Sequence, residues 1–177
     1  MDPLKQAVRS VPGFPKPGIV FRDITPVLAS PALLREAVER LAEPFYDLGI
    51  EAVAGTEARG FILAPAVALA LAAGFVPIRK KGKLPCEVHQ ATYDLEYGTD
   101  TLEMHRDAIR AGARVLMVDD LLATGGTMKA CCDMVEAAGG QVVACAFLVE
   151  LSFLGGREKL APREVFALID YASEEEE

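Results

Sequence analysis

The stretch Val115-Leu-Met-Val-Asp-Asp-Leu-Leu-Ala-Thr-Gly-Gly-Thr127 constrains the fold of this chain more than any other. Its apolar run has no polar alternation, so it describes a strand buried on both faces, as in a parallel sheet covered by helices. Two carboxylates, Asp119 and Asp120, follow at its carboxyl end, and a small-residue turn then opens a helix over Gly126 to Ala138. Such strand-turn-helix units build doubly wound α/β sheets, which bind ligands beyond the carboxyl ends of their strands.

The same alternation recurs along the chain. Strands are expected at Ala52 to Gly55, Phe75 to Arg79, Arg114 to Val118, Gln141 to Val149 and Val165 to Ile169. Helices are expected at Gly60 to Ala73 and, briefly, near Gly155 to Leu160; the first is nearly all apolar and should be buried. Asp2-Pro3 and Ser30-Pro31 are helix starts, the second helix running until Pro44. The proline-rich Val11 to Gly18 reads as a rigid loop. The polar stretch Lys80 to Gly98 exceeds an ordinary connection and reads as a functional or mobile loop, with a hairpin from Tyr93 to Tyr97 and Thr101 to His105. The acidic tail from Ser173 to Glu177 reads as solvated. No repeat or composition break divides the 177 residues, so one domain with a mostly parallel, twisted sheet flanked by helices is expected.

A formal net charge of −8 argues against general affinity for nucleic acid, which needs clustered cations. The first ten residues lack the apolar run of a signal peptide, and no stretch is long enough for a membrane span. Cys86, Cys131, Cys132 and Cys145 show no metal-ligand spacing. Cys131 and Cys132 suit a helix core, and a reducing, cytoplasmic setting is expected.

Ala123, Thr124, Gly125, Gly126 and Thr127 can wrap backbone N–H groups and two hydroxyls around a phosphate at a helix N-terminus. Asp119 and Asp120 can accept hydrogen bonds from vicinal hydroxyls, so phosphate and diol together describe ribose 5-phosphate. The alternative is a plain turn in which Asp and Thr act only as caps. The pattern is neither a Walker loop nor a dinucleotide glycine fingerprint.

This segment resembles the phosphoribosyl-pyrophosphate motif of the type I phosphoribosyltransferases. Phe21-Arg-Asp-Ile-Thr-Pro-Val-Leu28, Gly55-Thr-Glu-Ala-Arg-Gly-Phe61, Ile78-Arg-Lys-Lys-Gly-Lys-Leu-Pro85, Tyr93-Asp-Leu-Glu-Tyr-Gly98, Val149-Glu-Leu and Gly156-Arg-Glu-Lys-Leu-Ala-Pro162 are similar to the adenine-specific branch of that family. The resemblance implies transfer of a 5-phosphoribosyl group from phosphoribosyl pyrophosphate to adenine, giving AMP and pyrophosphate in purine salvage. It implies a homodimer, and magnesium held through the substrate's pyrophosphate and ribose rather than by a protein cage. It assigns pyrophosphate to Arg59, Arg79, Lys80 and Lys83, which form the dense basic group of an acidic chain. Residues 80–100 would close over the reaction centre, with Tyr97 in the closure and Glu96 receiving or relaying the purine proton. Adenine's edge falls to the backbone of Val20 and Arg22, with Phe21 and Leu151 beside the base, under a cap formed by residues 1–30. A transferase for an oxopurine, or a regulator that senses the sugar phosphate without turnover, are the rival readings.

Overall fold

The computed structural model describes residues 2–94 and 99–174, with only the backbone at Asp94. Helix α1 (Pro3–Ala7) is capped by Asp2, whose carboxylate accepts the Leu4 amide at 3.0 Å. Strands β1 (Arg9–Pro12) and β2 (Val20–Asp23) then pair antiparallel. The proline-rich segment is therefore not loop throughout, since Val11 and Pro12 belong to β1. A proline is tolerated there because it ends a strand of a two-stranded sheet, where a missing N–H costs little. Helix α2 (Thr25–Ala29), absent from the sequence expectation, starts where the Asp23 carboxylate accepts both the amide and the hydroxyl of Thr25. Helix α3 (Pro31–Ala42) is capped by Ser30 and tightens into a 3₁₀ turn over Glu43–Leu48.

The main sheet begins with β3 (Ala52–Thr56), helix α4 (Gly60–Ala70) and β4 (Gly74–Lys80). The hairpin β5 (Val88–Asp94) and β6 (Thr99–His105) follows, then β7 (Arg114–Leu122), helix α5 (Gly126–Ala137), β8 (Gln141–Leu151), the short α6 (Gly156–Leu160) and β9 (Val165–Tyr171). The seven strands lie in the order β5-β6-β4-β3-β7-β8-β9. The five from β4 to β9 pair in parallel, and the hairpin adds antiparallel to β4. Much of the polar stretch expected as loop is thus strand. Ala91 and Tyr93 in β5 turn toward the core on α5's side, while the intervening Thr92 is exposed and meets the Thr101 hydroxyl at 3.1 Å.

Two cores flank the sheet. Leu116 and Val118 of β7 join the one under α3 and α4, and Val115 and Met117 join the one under α5, the alternation of a strand buried on both faces. Cys131 and Cys132 are fully buried in the second core, as expected for small core residues. Helix α4 departs from expectation. Leu63, Ala64, Val67 and Ala68 are buried, but Leu69 is 82% exposed and Ile62 44%. A single helical layer covers that side of the sheet, so among the described residues nothing lies above its outward face.

Candidate active site

The carboxyl ends of β3, β4 and β7 meet at one cleft of about 630 Å³. Arg59, Lys80, Asp119, Asp120, Ala123 and Thr127 all line it, although more than sixty residues separate the first from the last. A smaller cavity of about 100 Å³ adjoins it, enclosed by Asp119 and the Ala123–Thr127 loop.

Strand β7 is longer than expected, so the two acids lie within it. Asp120 is 6% exposed and pairs with the Arg59 Nε at 2.6 Å. Asp119 accepts the Asp120 amide at 2.9 Å. Burial first, and the adjoining Asp120 charge second, push the Asp119 carboxyl well above the usual carboxylate range. The site therefore holds two unlike acids, one matched by a guanidinium and one that resists ionisation.

Glycine makes this closeness possible. A Cβ on Gly60 would lie 2.9 Å from an Asp119 carboxylate oxygen, so only glycine lets the first turn of α4 sit against the acids. Gly125 has a φ of +79°, and a Cβ there would come within 2.7 Å of the Gly156 carbonyl oxygen. Sequence reasoning gave Gly125 to the ligand side alone; the structure adds a packing reason, the backbone crossing with Gly156 behind the loop. A Cβ on Gly156 would in turn lie 2.3 Å from the Ala123 carbonyl oxygen.

The basic group is held in an ordered way. Arg79 donates to Glu57 from Nε at 3.1 Å and to the Lys83 carbonyl from Nη1 at 3.2 Å. The Arg79 guanidinium holds the Glu57 carboxyl below its ordinary value. Lys80 lies 3.5 Å from Asp100. Arg59 and Lys80 face the cleft, whereas Arg79 and Lys83 sit beside it, tied to the Lys80–Lys83 turn. Sequence reasoning missed Glu57, Asp100 and the buried Glu103, which accepts the Gly82 amide at 2.8 Å and the Gln90 side chain at 2.9 Å and so fixes that turn. Only the strand alternation around Glu103 hinted at it.

At the other rim, the Arg59 guanidinium lies 5.7 Å from the Phe21 ring centre, which brings β2 to the cleft. Phe14 packs edge-on against the same ring at 5.2 Å. The Arg22 side chain is buried, stacks 3.9 Å over Tyr171 and donates to the Glu174 carbonyl at 3.0 Å. Leu151 ends β8, half-buried and in register with Tyr171. The Val20 amide donates to the Glu174 carboxylate at 2.9 Å, so the acidic tail is not simply solvated as expected: its first glutamate is docked on β2, drawn by one amide and one guanidinium. Glu96 and Tyr97 lie outside the described residues.

Comparison with known proteins places this geometry. Residues 24–170 match the model of the phosphoribosyl transferase domain. The adenine phosphoribosyltransferase of Methylococcus capsulatus is 56% identical over 171 residues, covering 97% of this chain and all of the relative. The crystal structure of the Rhodothermus marinus adenine phosphoribosyltransferase superposes with a TM-score of 0.90 at 57% identity, covering 95% of this chain and 96% of that one. That of the Saccharomyces cerevisiae enzyme, complexed with an imino-altritol bisphosphate and adenine, gives 0.88 at 42% identity, covering 93% and 95%. The cleft, its paired acids and its glycine-lined loop thus belong to a chain that is a member of the phosphoribosyltransferase family, on its adenine phosphoribosyltransferase branch.

Proposed function

We infer that the protein transfers the 5-phosphoribosyl group from phosphoribosyl pyrophosphate to adenine, giving AMP and pyrophosphate, in purine salvage. The observation that carries this reading is the cleft itself, where Asp119 and Asp120 stand between the Ala123–Thr127 loop and Arg59.

The loop offers backbone amides and the Thr124 and Thr127 hydroxyls to the 5-phosphate at the start of α5. The acids take the ribose hydroxyls. Cleavage of the bond from ribose C1 to pyrophosphate builds positive charge on the ring and negative charge on the leaving group. The Asp120 carboxylate stabilises the first, with Asp119 holding the ribose hydroxyls beside it, and Arg59, Lys80, Arg79 and Lys83 the second. Arg59 exchanges Asp120 for the pyrophosphate as substrate enters, since one guanidinium serves both. The attacking purine loses a proton, a task we assign to Glu96, with residues 80–100 and Tyr97 excluding water. Leu151 and Phe21 flank the base under residues 1–30.

Val20 and Arg22 suit the base edge for a reason visible in the backbone. The Ile19 carbonyl accepts the Gly13 amide at 2.7 Å, so residue 19 points into the β1–β2 pair. Alternation along an antiparallel strand then turns Phe21 inward as well, and the N–H and C=O groups of Val20 and Arg22 outward. That outward edge, where the Val20 amide meets Glu174, offers a carbonyl for the adenine amino group and an amide for a ring nitrogen.

Asp119 and Asp120 supply hard oxygen donors of the kind magnesium takes, whereas no group of three or more His, Cys, Asp or Glu gathers as a cage among the described residues. The ion would therefore be shared with substrate oxygens, and when bound it would neutralise charge on the leaving pyrophosphate. A cytoplasmic setting is our reading of the cysteine usage: Cys131, Cys132 and Cys145 are buried as small core residues. No helix among the described residues is long and apolar enough to cross a membrane.

Incubation with phosphoribosyl pyrophosphate, magnesium and each of adenine, hypoxanthine, guanine and xanthine tests the reading by chromatography of the nucleotides. AMP alone is expected. IMP, GMP or XMP would reassign the base, and no nucleotide from any of the four would overturn the reaction.

A further inference from the structure

Glu150 and Arg157 lie in two of the sequence segments that resemble the family, and neither has a task in the chemistry above. In the fold they form a fork. The Glu150 carboxylate, buried near the end of β8, accepts the Arg157 Nε at 2.7 and 2.9 Å and Nη2 at 2.6 Å. The remaining nitrogen, Nη1, donates to the Val165 carbonyl at the start of β9 at 2.7 Å. One guanidinium therefore ties α6 to two strands, and a buried carboxylate left without it would hold an unmatched charge.

What α6 supports is the back of the Ala123–Thr127 loop. Gly156, which precedes Arg157, packs so closely that an added Cβ would lie 2.3 Å from the Ala123 carbonyl oxygen and 2.9 Å from the Leu122 side chain. Its own carbonyl oxygen is the atom that a Cβ on Gly125 would meet at 2.7 Å. A helix of five residues has little stability of its own, so its position is set by what anchors it. Strand β8 is held differently, with Glu150 in register with Leu122 of β7 on one side and Asp170 of β9 on the other.

We propose that Glu150 and Arg157 are positioning residues for the 5-phosphate: through Gly156 they hold the Ala123–Gly125 backbone in the curve whose amides receive it. The proposal rests on the reading above that this loop binds the 5-phosphate. Neither side chain lines the cleft or the smaller cavity, so neither touches substrate. Loosening the fork lets α6 retreat, and amides that converge on one point no longer do so. Arg59 and Lys80 stand on the far side of the cleft, at the ends of β3 and β4, and do not depend on α6. The 5-phosphate keeps its bonds and charge throughout the reaction, so its loss of grip raises KM and leaves kcat in place.

Arg157→Lys in the full-length chain tests this, since lysine keeps the charge opposite Glu150 but cannot make the fork. Calorimetry should show ribose 5-phosphate binding about tenfold more weakly, with pyrophosphate affinity unchanged. The phosphoribosyl-pyrophosphate KM should rise by a similar factor while kcat moves less than about threefold. Glu150→Gln is expected to act in the same direction, and the double variant should lose little more than the worse single one, because either change already opens the fork. An equal loss of both affinities, or losses that add in the double variant, would overturn the proposal. Thr127→Ala removes a hydroxyl from the loop itself and should also weaken ribose 5-phosphate binding. If it does not, the reading of the loop fails and the positioning role with it. If it does while Arg157→Lys changes nothing, the loop stands and only the role of the fork falls.

Discussion

Asp119 and Asp120 are adjacent in sequence and opposite in circumstance. Asp120 has Arg59 at 2.6 Å, whereas Asp119 is pushed up by burial and by its neighbour's charge. Asp120→Asn is expected to lower kcat/KM about a hundredfold, the scale of losing one electrostatic group at a reacting centre. Steady-state assays check it, and a loss under threefold would remove Asp120 from the chemistry. Asp119→Asn should do something less usual. A carboxyl whose folded-state value lies above its unfolded one binds its proton more tightly when native, so the charged form costs stability increasingly as pH rises between the two values. The variant should therefore melt higher than the parent near neutral and basic pH, with the gain vanishing below the ordinary carboxylate range. Equal melting at all pH values would show that the acid is not strained. These acids and the loop after them were legible because strand, acids and turn are contiguous. Glu57 and Glu103 were not, since their partners lie 21 to 23 positions away (13 for Gln90) and only sheet register brings them together.

At the level of elements, caps and crossings were read unequally. Asp2-Pro3 announced α1 correctly, but Asp2 also pairs with Arg40 of α3 at 2.8 Å, which no local pattern indicated. Asp2→Ala is expected to cost about 1 kcal/mol in chemical denaturation, in the range of a lost cap. The Arg40 hydrogen bond lowers the Asp2 value, so this contribution is present above the ordinary carboxylate range and lost as pH falls through the depressed value. An unchanged denaturation midpoint near neutrality would refute it. The turn into α5 was recognised as a phosphate loop, yet its dependence on Gly156 was hidden in a motif 31 residues downstream. Gly125→Ala must adopt a left-handed backbone at a cost of roughly 1–2 kcal/mol and also push Gly156 away. It should weaken ribose 5-phosphate binding more than pyrophosphate binding, a difference that calorimetry resolves. The hairpin β5–β6 was half seen: its alternation was noticed from Tyr93, but polar residues before it concealed the rest of β5.

At the scale of the molecule, the mostly parallel sheet with helices on both faces followed from strand and helix alternation. The exposed face of α4 did not. Ile62 and Leu69 are seven residues apart, two helical turns on one side, and both stand in solvent within the single chain. We propose that the homodimer expected from the family covers this face. Sedimentation should then give twice the chain mass, and Leu69→Glu should shift the equilibrium toward monomer. A parent that sediments as a monomer, or a variant that dimerises as tightly, would place the interface elsewhere or remove it.

The sequence by itself determined the layers and the chemistry-bearing loop. Backbone-local rules such as capping, alternation and the glycine turn act over a few residues, and the paired acids sit inside one such unit. What only the tertiary structure decided was everything that pairs across distance: Arg59 with Asp120, Glu103 with the turn of Lys80 to Lys83, Gly125 with Gly156, and the tail with β2. Those contacts are set by strand order in the main sheet, which brings the ends of β3, β4 and β7 to one rim, and by the docking of the separate β1–β2 pair beside it. No spacing along the chain encodes which of two distant charges will meet there.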